Sequence, residues 1–336
     1  MQRRSLYFDG PGKVCLRTEA LPSPGKNQIL VKTVLSAISP GTEMLFYRGE
    51  FPDGLDVDSS QTALGGEFHY PLKYGYAAVG RVVQAGTALR ADWENRLVCA
   101  FHPHESHFLA TPDELIPVPE DIAAEEAVFL PNMETAVNFI MDGRPLIGEH
   151  VTVFGQGIVG LLTTTLLAQF PLSSLVTFDR YPLRRQASLQ MGAHASLDPA
   201  SEDAFRQLSA LQPEGADLVY ELSGAPQTLD QAIAAAGFAG RVVIGSWYGQ
   251  KKAALDLGGR FHRSRIRLVS SQVSTIDPEF SGRWDNSRRF TLAWEMLRKV
   301  KPSRFITQRQ PLERADEAYR LLDQNPEEAI QVVFTY

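Results

Sequence analysis

Four residues with a characteristic spacing could hold the phosphates and a ribose of a bound dinucleotide. Residues 151–160 combine an apolar run with Gly155, Gly157 and Gly160, in the pattern Gly-x-Gly-x-x-Gly. A tight turn needs the first glycine, close approach of a pyrophosphate needs the second, and packing of a helix on the strand needs the third. Asp179 lies nineteen residues further on, after a second apolar run, where a carboxylate would accept hydrogen bonds from a ribose. The alternative is a glycine-rich turn in an unrelated α/β protein.

The same stretch predicts which dinucleotide is bound. A carboxylate at Asp179 repels a 2′-phosphate, so NAD(H) is favoured and NADP(H) is the second choice. Arg180 follows directly, and an arginine can stack on adenine or grip a 2′-phosphate, although it can also be a solvated charge. Residues beyond the carboxyl ends of two later strands should contact the cofactor as well. The predicted contacts are Gly155, Gln156, Gly157, Ile158, Val159, Gly160, Asp179, Arg180, Ser223, Gly224, Gly245, Ser246 and Trp247.

Composition indicates a globular protein of the cytoplasm. The 336 residues suffice for two domains that each bury a core, and hydrophobic residues make up 44% of them. The net charge of −6 argues against a nucleic-acid partner, and no apolar run is long enough to predict a membrane span. The two cysteines, Cys15 and Cys99, fit a reducing compartment, and the N-terminus lacks the apolar region of a signal peptide.

The apolar patterns predict two kinds of structure along the chain. The first third is β-rich and punctuated by Gly and Pro, which suits a small barrel or sandwich. Its expected strands are 29–35, 77–86, 96–101 and 114–119. Residues 51–70 are polar and should form a long loop over a cleft, or a lid, and residues 121–141 have helical spacing.

Strands and helices then alternate, which predicts a parallel sheet with helices on both faces. The expected elements are strand 151–154, helix 158–169, strand 175–178, helix 182–191, strand 217–221, helix 226–236, strand 241–245, strand 266–270, helices 287–299 and 312–323, and strand 330–336. We therefore predict an α/β protein with a β-rich domain, residues 1–125 completed by 275–336, and a doubly wound domain, residues 126–274.

Three motifs in this order resemble the medium-chain dehydrogenase/reductase superfamily over nearly the whole chain. Residues 36–43 (Ser-Ala-Ile-Ser-Pro-Gly-Thr-Glu) stand where that family has Cys-Gly-Thr-Asp, and residues 75–80 stand where it often has Gly-His-Glu. The third motif is the glycine fingerprint. The resemblance implies a GroES-like catalytic domain joined to a Rossmann domain, with the active site in the cleft between them. Ser-Pro-Gly-Thr-Glu is most similar to the bacteriochlorophyllide a dehydrogenase-like branch.

The residues at the family's zinc positions are poor metal ligands. A catalytic zinc needs three thiolate, imidazole or carboxylate ligands, whereas this chain has Ser39 and Pro40 at the first position and Tyr76 at the second. Four closely spaced cysteines, which a structural zinc requires, are missing too. We therefore predict no metal and no zinc, as in the quinone oxidoreductases and enoyl reductases of the superfamily. A cluster of His102, His104 and His107 could bind a metal instead, but an exposed turn is the favoured interpretation.

Five residues are candidates for chemistry without zinc. Tyr76 could donate a proton to a carbonyl oxygen, or could only fill the space of a metal. Ser39 and Thr42 match the position of a hydroxyl relay, or could serve the turn at Pro40 and Gly41. Glu43 could orient the cofactor or a substrate hydroxyl, or pair with an arginine. Glu134 could be a buried acid, or a helix-surface charge.

These observations predict an NAD(P)-dependent oxidoreductase without catalytic zinc. It would act on a small-molecule alcohol, carbonyl or activated double bond. The alternative is a catalytically silent dinucleotide-binding protein that serves as a redox sensor or assembly partner. Arginines at alternate positions in residues 260–267 are interpreted as one face of an edge strand rather than a nucleic-acid site. By resemblance this region pairs two subunits, so we expect a homodimer that binds neither nucleic acid nor membrane.

Overall fold

The computed structural model describes residues 1–52, 54, 68–89 and 93–336. These residues form two units, Met1–Pro131 with Leu297–Tyr336, and Asn132–Met296. The predicted domain boundaries at 125/126 and 274/275 stay predictions, and most of the predicted loop 51–70 lies outside the described residues. No helix in the described ranges has both the length and the apolar character needed to cross a membrane.

The described strands and helices follow a mixed α/β order. The first are β1 (Gln2–Gly10), β2 (Lys13–Ala20), β3 (Ile29–Ala37), α1 (Pro40–Arg48), β4 (Ala78–Ala85), β5 (Leu97–Ala100), β6 (His107–Ala110), β7 (Ile116–Pro117), α2 (Ala124–Ala127) and α3 (Leu130–Gly143). Then come β8 (His150–Phe154), α4 (Ile158–Leu167), β9 (Ser174–Phe178), α5 (Pro182–Gln190), β10 (Ala195–Leu197), α6 (Ala204–Leu211), β11 (Ala216–Glu221), α7 (Gln227–Ala235), β12 (Ala236–Ile244) and β13 (Arg267–Ser270). The last are α8 (Asn286–Val300), β14 (Ile306–Pro311), α9 (Ala315–Gln324) and β15 (Gln331–Thr335).

The first unit is β-rich, as predicted, and the C-terminal strand completes it. Its main sheet has the order β14-β15-β3-β4-β5-β7, with β6 on β3, while β1 and β2 form a separate hairpin. β15 pairs antiparallel with β3, so that Val333 lies opposite Ala37. The core on this side includes the fully buried rings of Phe8, Phe46 and Phe334. The two terminal parts of the chain are thus held together by backbone pairing and apolar burial.

Helix α1 corrects the expectation of a simple turn at Pro40 and Gly41. Proline suits the first position of a helix, because an N–H there would have no intrahelical partner. Gly49, at φ 70, ends the helix in the left-handed region that glycine tolerates best. The helix therefore fixes the side chains of Thr42 and Glu43 on a rigid element.

The second unit is the predicted parallel sheet. Its strand order is β10-β9-β8-β11-β12-β13, and every neighbouring pair is parallel. This is the doubly wound order. Strands β9 and β10 follow on one side of β8, and strands β11, β12 and β13 follow on its other side. β8 and β9 are almost wholly buried, which explains why the sequence shows them as uninterrupted apolar runs.

The arginines of residues 260–267 do not alternate along an edge strand, contrary to the prediction. The carboxylate of Asp256 accepts hydrogen bonds from the N–H groups of Gly258 and Gly259, at 3.1 and 2.9 Å, and caps a helical turn. The edge strand β13 begins only at Arg267. The acidic cap and the two glycines therefore favour a helical turn, although the alternating arginines predicted a strand.

Two carboxylates tie the hairpin of β1 and β2 to neighbouring segments of the first unit. Glu105 accepts hydrogen bonds from Arg3 Nη1 at 2.9 Å and from Lys73 Nζ at 2.7 Å. Glu19 accepts one from Lys73 Nζ at 2.7 Å and another from the Tyr7 hydroxyl. Burial opposes the charge of Glu19, but the hydrogen bonds from Lys73 and Tyr7 outweigh it and lower the pKa of Glu19 from 4.5 to about 2.

We predict that Glu19→Gln makes the stability of the protein less sensitive to acid. A lowered pKa in the folded state stabilises the fold above pH 4.5, and this contribution is lost as the pH falls towards about 2. Between pH 5 and pH 3 the wild type should lose roughly 1–2 kcal/mol more free energy of unfolding than the variant. Urea denaturation at both pH values measures the difference, with the exposed Glu120→Gln as control. Equal losses in wild type and Glu19→Gln would contradict the assignment.

Candidate nucleotide site and buried polar network

Backbone crowding after β8 explains two of the three fingerprint glycines. Gly155 adopts φ 91, and a Cβ atom there would lie 2.5 Å from the carbonyl oxygen of Leu222. A Cβ atom on Gly160 would lie 2.0 Å from the carbonyl oxygen of Gly155. Because both neighbours are backbone atoms, no side chain fits at either position. These contacts fix the tight turn that leads from β8 into α4.

Gly157 differs from the other two glycines because the space around it is open. A Cβ atom added there would meet nothing within 4 Å, and Gly157 is the N-cap of α4. The first N–H groups of a helix lack intrahelical partners, and at this end of α4 they belong to Ile158, Val159 and Gly160. Such a surface can bind a phosphate oxyanion at close range. The predicted pyrophosphate contact stays a prediction, and the geometry suits it.

Asp179 connects the glycine turn to the end of β9. Its Oδ2 accepts a hydrogen bond from the N–H of Gln156 at 2.7 Å, and its Oδ1 accepts one from Tyr181 at 2.9 Å. The side chain of Gln156 points inward, with Nε2 donating to the Gly155 carbonyl and Oε1 accepting from Thr164, each at 2.9 Å. The side chain of Gln156 is therefore engaged within the unit, and the residue is 0% exposed. A carboxylate oxygen accepts more than one hydrogen bond, so Asp179 keeps capacity for a ribose hydroxyl.

A cationic aromatic surface follows Asp179. The guanidinium carbons of Arg180 and Arg184 lie 5.7 and 4.8 Å from the centre of the Tyr181 ring. Arg180 is exposed, whereas Arg185 donates hydrogen bonds of 2.9 Å to the carbonyls of both Asp179 and Arg180. This surface can stack on an adenine, and its charge can attract a 2′-phosphate.

The ends of β11 and β12 meet around Glu221, a residue that was not among the predicted site residues. Its fully buried carboxylate accepts a hydrogen bond from the Ser223 N–H at 2.8 Å, and others from the Ser223 and Tyr248 hydroxyls. The N–H of Gly224 donates to Ser246 Oγ at 2.9 Å. Burial and the charge of Glu221 raise the pKa of Tyr248, so its phenol stays a donor. The signal available in the sequence was the position of Glu221 at the carboxyl end of a buried strand.

Gly245 and Trp247, the remaining candidates after β12, have different environments. A Cβ atom on Gly245 would lie 2.3 Å from the ring of Phe139 and 2.6 Å from the side chain of Leu222, so packing alone requires a glycine. Trp247 is 44% exposed and presents an aromatic surface that a ligand could cover.

The first unit contains a buried polar network around Glu43. This residue is 0% exposed, and Oε1 accepts a hydrogen bond from the N–H of Ser39 at 2.7 Å. Its Oε2 lies 3.1 Å from His104 Nε2 and accepts a hydrogen bond from the Tyr319 hydroxyl. Glu43 therefore pairs with an imidazole and a phenol. The alternative interpretation, in which it pairs with an arginine, is wrong. Every group in contact with it can donate a hydrogen bond.

The network continues through His104 to the last residue. His104 Nδ1 lies 2.7 Å from Ser36 Oγ, and Ser36 Oγ lies 2.7 Å from the Tyr336 hydroxyl. His104 and Glu105 are 0% and 1% exposed, so the expected exposed turn at residues 102–107 is wrong. The segment is buried because β6 packs beside β3 and the hairpin of β1 and β2 covers it.

Two of the predicted site residues, Ser39 and Tyr76, are brought together. Their hydroxyl groups form a hydrogen bond with each other. Ser39 is 8% exposed and is the N-cap of α1, and the N–H of Thr42 donates to the Ser39 carbonyl at 3.1 Å. Thr42 thus lies in the first turn of the same helix. A phenol bonded to a second hydroxyl can pass a proton to an oxygen in reach.

Glu134 lies in the second unit and forms a buried ion pair. It is 5% exposed, and its Oε1 accepts hydrogen bonds from Arg289 Nε at 3.0 Å and Nη2 at 2.7 Å. Burial raises the pKa of Glu134 more than Arg289 lowers it. Arg289 also donates to Asn138 Oδ1 at 2.8 Å and to the Val273 carbonyl at 2.6 Å. The alternative of a helix-surface charge is wrong, and the pairing favours a structural role over a catalytic one.

The donor set does not fit a zinc ion. Within the described ranges there is no group of three or more His, Cys, Asp and Glu residues that could hold a metal. Ser39 and Tyr76 offer hydroxyls at the positions where the family has ligands. His102 stacks on Phe108 with ring centres 4.0 Å apart, and His107 Nδ1 lies 3.2 Å from its neighbour Ser106 Oγ.

Comparisons with known proteins agree with this architecture. Residues 159–289 match the family model described as zinc-binding dehydrogenase. D-guloside 3-dehydrogenase of Escherichia coli K12 is 22% identical over 329 residues, which cover 92% of this chain and 93% of that protein. An alcohol dehydrogenase of Escherichia coli CFT073, solved in complex with NADH, has a TM-score of 0.81 at 17% identity and covers 100% of this chain and 99% of its own. A candidate zinc-binding dehydrogenase of Sinorhizobium meliloti 1021, solved with NADP, has a TM-score of 0.78 at 20% identity, with 100% of both chains covered.

We predict that alanine substitutions at two glycines of the fingerprint differ in their effect on stability. Gly160→Ala should lower the free energy of unfolding by about 1–3 kcal/mol or more, because its Cβ would overlap the Gly155 carbonyl. Gly157→Ala should change it by less than about 1 kcal/mol, because the added methyl group meets open space. Denaturant titration measures both variants. A Gly157→Ala protein as unstable as Gly160→Ala would show that the space around Gly157 is not open.

Proposed function

We propose that this chain, which belongs to the medium-chain dehydrogenase/reductase superfamily, is an NAD(P)-dependent oxidoreductase that works without a catalytic zinc. The substrate would be a small alcohol or the corresponding carbonyl, with an activated double bond as the other option. The relatives reported above are named dehydrogenases, which favours the alcohol and carbonyl pair. We also propose that the protein is a homodimer, in which the two subunits pair near β13, the edge strand of the parallel sheet.

The cofactor assignment depends on one observation. The turn between β8 and α4 requires glycine, and it leaves open space at Gly157, in front of α4. The helix start would hold the pyrophosphate through its N–H groups, and Gly157 would let it come close. Asp179 would accept hydrogen bonds from the adenosine ribose. A nicotinamide ring supplies or accepts a hydride. Solved relatives contain either NADH or NADP, and we favour NAD(H) because the carboxylate of Asp179 repels a 2′-phosphate.

Proton transfer is assigned to the hydroxyl pair of Tyr76 and Ser39. Reduction of a carbonyl needs a proton as well as a hydride, and oxidation of an alcohol must release one. The Tyr76 phenol, bonded to Ser39 Oγ, would donate to the substrate oxygen. Glu43 is a positioning residue, because it holds the Ser39 backbone and the start of α1. Thr42, in the first turn of that helix, is the second candidate hydroxyl.

Zinc-free chemistry is proposed from the residue types themselves. A zinc ion polarises an oxygen by its charge, whereas here a phenol would do so by donating a hydrogen bond. Ser39 and Tyr76 stand at family ligand positions, and their side chains bond to each other. The family model is described as zinc-binding, but it matches residues 159–289 and does not include Ser39 or Tyr76.

Titration with NADH and NADPH tests the cofactor assignment. We expect saturable binding of NADH, weakened at least about tenfold in Gly157→Ala because the methyl group occupies the space of the pyrophosphate. Asp179→Asn should weaken NADH more than NADPH. Gly282→Ala is the matched control, because its Cβ also meets nothing within 4 Å and it lies outside the glycine turn. Failure of the wild type to bind either nucleotide would refute the proposed function.

Turnover by Tyr76→Phe tests the proton donor. With a panel of aldehydes, ketones and quinones plus NADH, and polyols plus NAD⁺, kcat should fall by about 10²–10⁴ while nucleotide affinity stays unchanged. Tyr47→Phe, a buried tyrosine of the same unit, is the control. Nucleotide binding without turnover of any compound by the wild type would favour the redox-sensor alternative. Stoichiometric zinc in protein purified without chelator would refute the zinc-free mechanism.

A further inference from the structure

A second concave site lies in the first unit, away from the glycine turn in sequence and in chemistry. The cavity has a volume of about 310 Å³, at the lower end of the range for small-molecule pockets. Its walls come from β1, β2, β3 and β6 and from the last residue, Tyr336. No residue of the proposed hydride-transfer or proton-transfer machinery lines it.

All the charged side chains that line this cavity are basic. They belong to Arg3, Arg4 and Lys32, with the imidazole of His107 beside them. The strand register explains the clustering, because Lys32 on β3 lies directly opposite His107 on β6. Among the lining residues there is no Asp or Glu. This concentration of basic side chains favours an anion as the ligand.

Part of this positive charge is available to a ligand. Arg3 is held by Glu105 at 2.9 Å and Glu19 at 3.1 Å, whereas the ion pair between Arg4 and Glu313 is solvent-exposed. Exposed pairs are weak, so a better-placed anion can compete for Arg4. In the described ranges, no carboxylate lies within ion-pair distance of Lys32. Burial lowers the pKa of His107 first, and the charges of Lys32 and Arg4 lower it further.

Two hydroxyl groups lie among the residues that line the cavity. Ser106 Oγ is fixed by the N–H of Arg4 at 2.9 Å, and the Tyr336 hydroxyl is fixed by Ser36 Oγ at 2.7 Å. Hydroxyls together with Arg and Lys are the usual partners of phosphate and carboxylate oxygens. We propose that this cavity binds a small dianion, a phosphate group or a dicarboxylate, through Lys32, Arg4 and the hydroxyls of Ser106 and Tyr336.

NMR of the His107 ring tests the proposal locally, because phosphate could also bind at the glycine turn. The ring signal, assigned with His107→Gln, is followed while inorganic phosphate or succinate replaces potassium chloride at constant pH and ionic strength. We expect a saturable shift with phosphate, succinate or both, and the dianion that saturates at the lower concentration identifies the chemical class. Lys32→Glu should weaken binding at least about tenfold, whereas Lys26→Glu, an equal charge change outside the cavity, should not.

Two results would overturn the site. One is a shift that is linear in dianion concentration, or that chloride reproduces at the same ionic strength. The other is an unchanged affinity in Lys32→Glu when its far-UV spectrum shows a folded protein. Neither result bears on nucleotide binding, which uses the other unit, so the two proposals fail independently.

Discussion

Close approach of backbone to backbone at the end of β8 is the constraint on which the nucleotide-binding unit depends. The Leu222 carbonyl and the Gly155 carbonyl occupy the space where Cβ atoms of Gly155 and Gly160 would stand. Only a chain without side chains at these two points can turn from β8 into α4 so tightly. The same turn leaves the start of α4 open at Gly157, and Asp179 locks it by accepting the Gln156 N–H at 2.7 Å. The tight turn and the open start of the helix thus come from one local geometry.

The buried carboxylates of both units follow a second constraint, since a charge removed from water needs donors around it. Asp179 and Glu221 accept backbone N–H groups at the carboxyl ends of β9 and β11, the two strands that flank β8. Glu134 accepts two hydrogen bonds from Arg289. In each case the acid joins segments that are separated in the sequence: Asp179 contacts Gln156, Glu221 contacts Tyr248, and Glu134 contacts Arg289. These carboxylates hold chain segments in place through hydrogen bonds. Among the three, Asp179 also has a predicted contact with the cofactor.

Local patterns could be predicted from the sequence, whereas long-range polar pairs could not. The glycine spacing and the alternation of elements define the parallel sheet, because each depends on residues close in the chain. The contact between Ser36 and Tyr336 joins residues 300 positions apart and exists only because β15 returns to β3. His104 therefore looked like an exposed histidine, although it is fully buried. For the arginines before β13, the cap at Asp256 and its two glycines outweighed the charge pattern.

The environment of Glu43 shows how the first unit accommodates a buried negative charge. A fully buried carboxylate would be costly unless donors compensate its charge. Here Ser39 donates its N–H at 2.7 Å, Tyr319 donates its hydroxyl, and His104 lies at 3.1 Å. The carboxylate also lies at the N-terminus of α1, where the helix dipole favours negative charge. With these four contributions the buried acid is compensated by its own neighbours, and the hydroxyls of Ser39 and Tyr76 are hydrogen-bonded to each other at the start of the same helix.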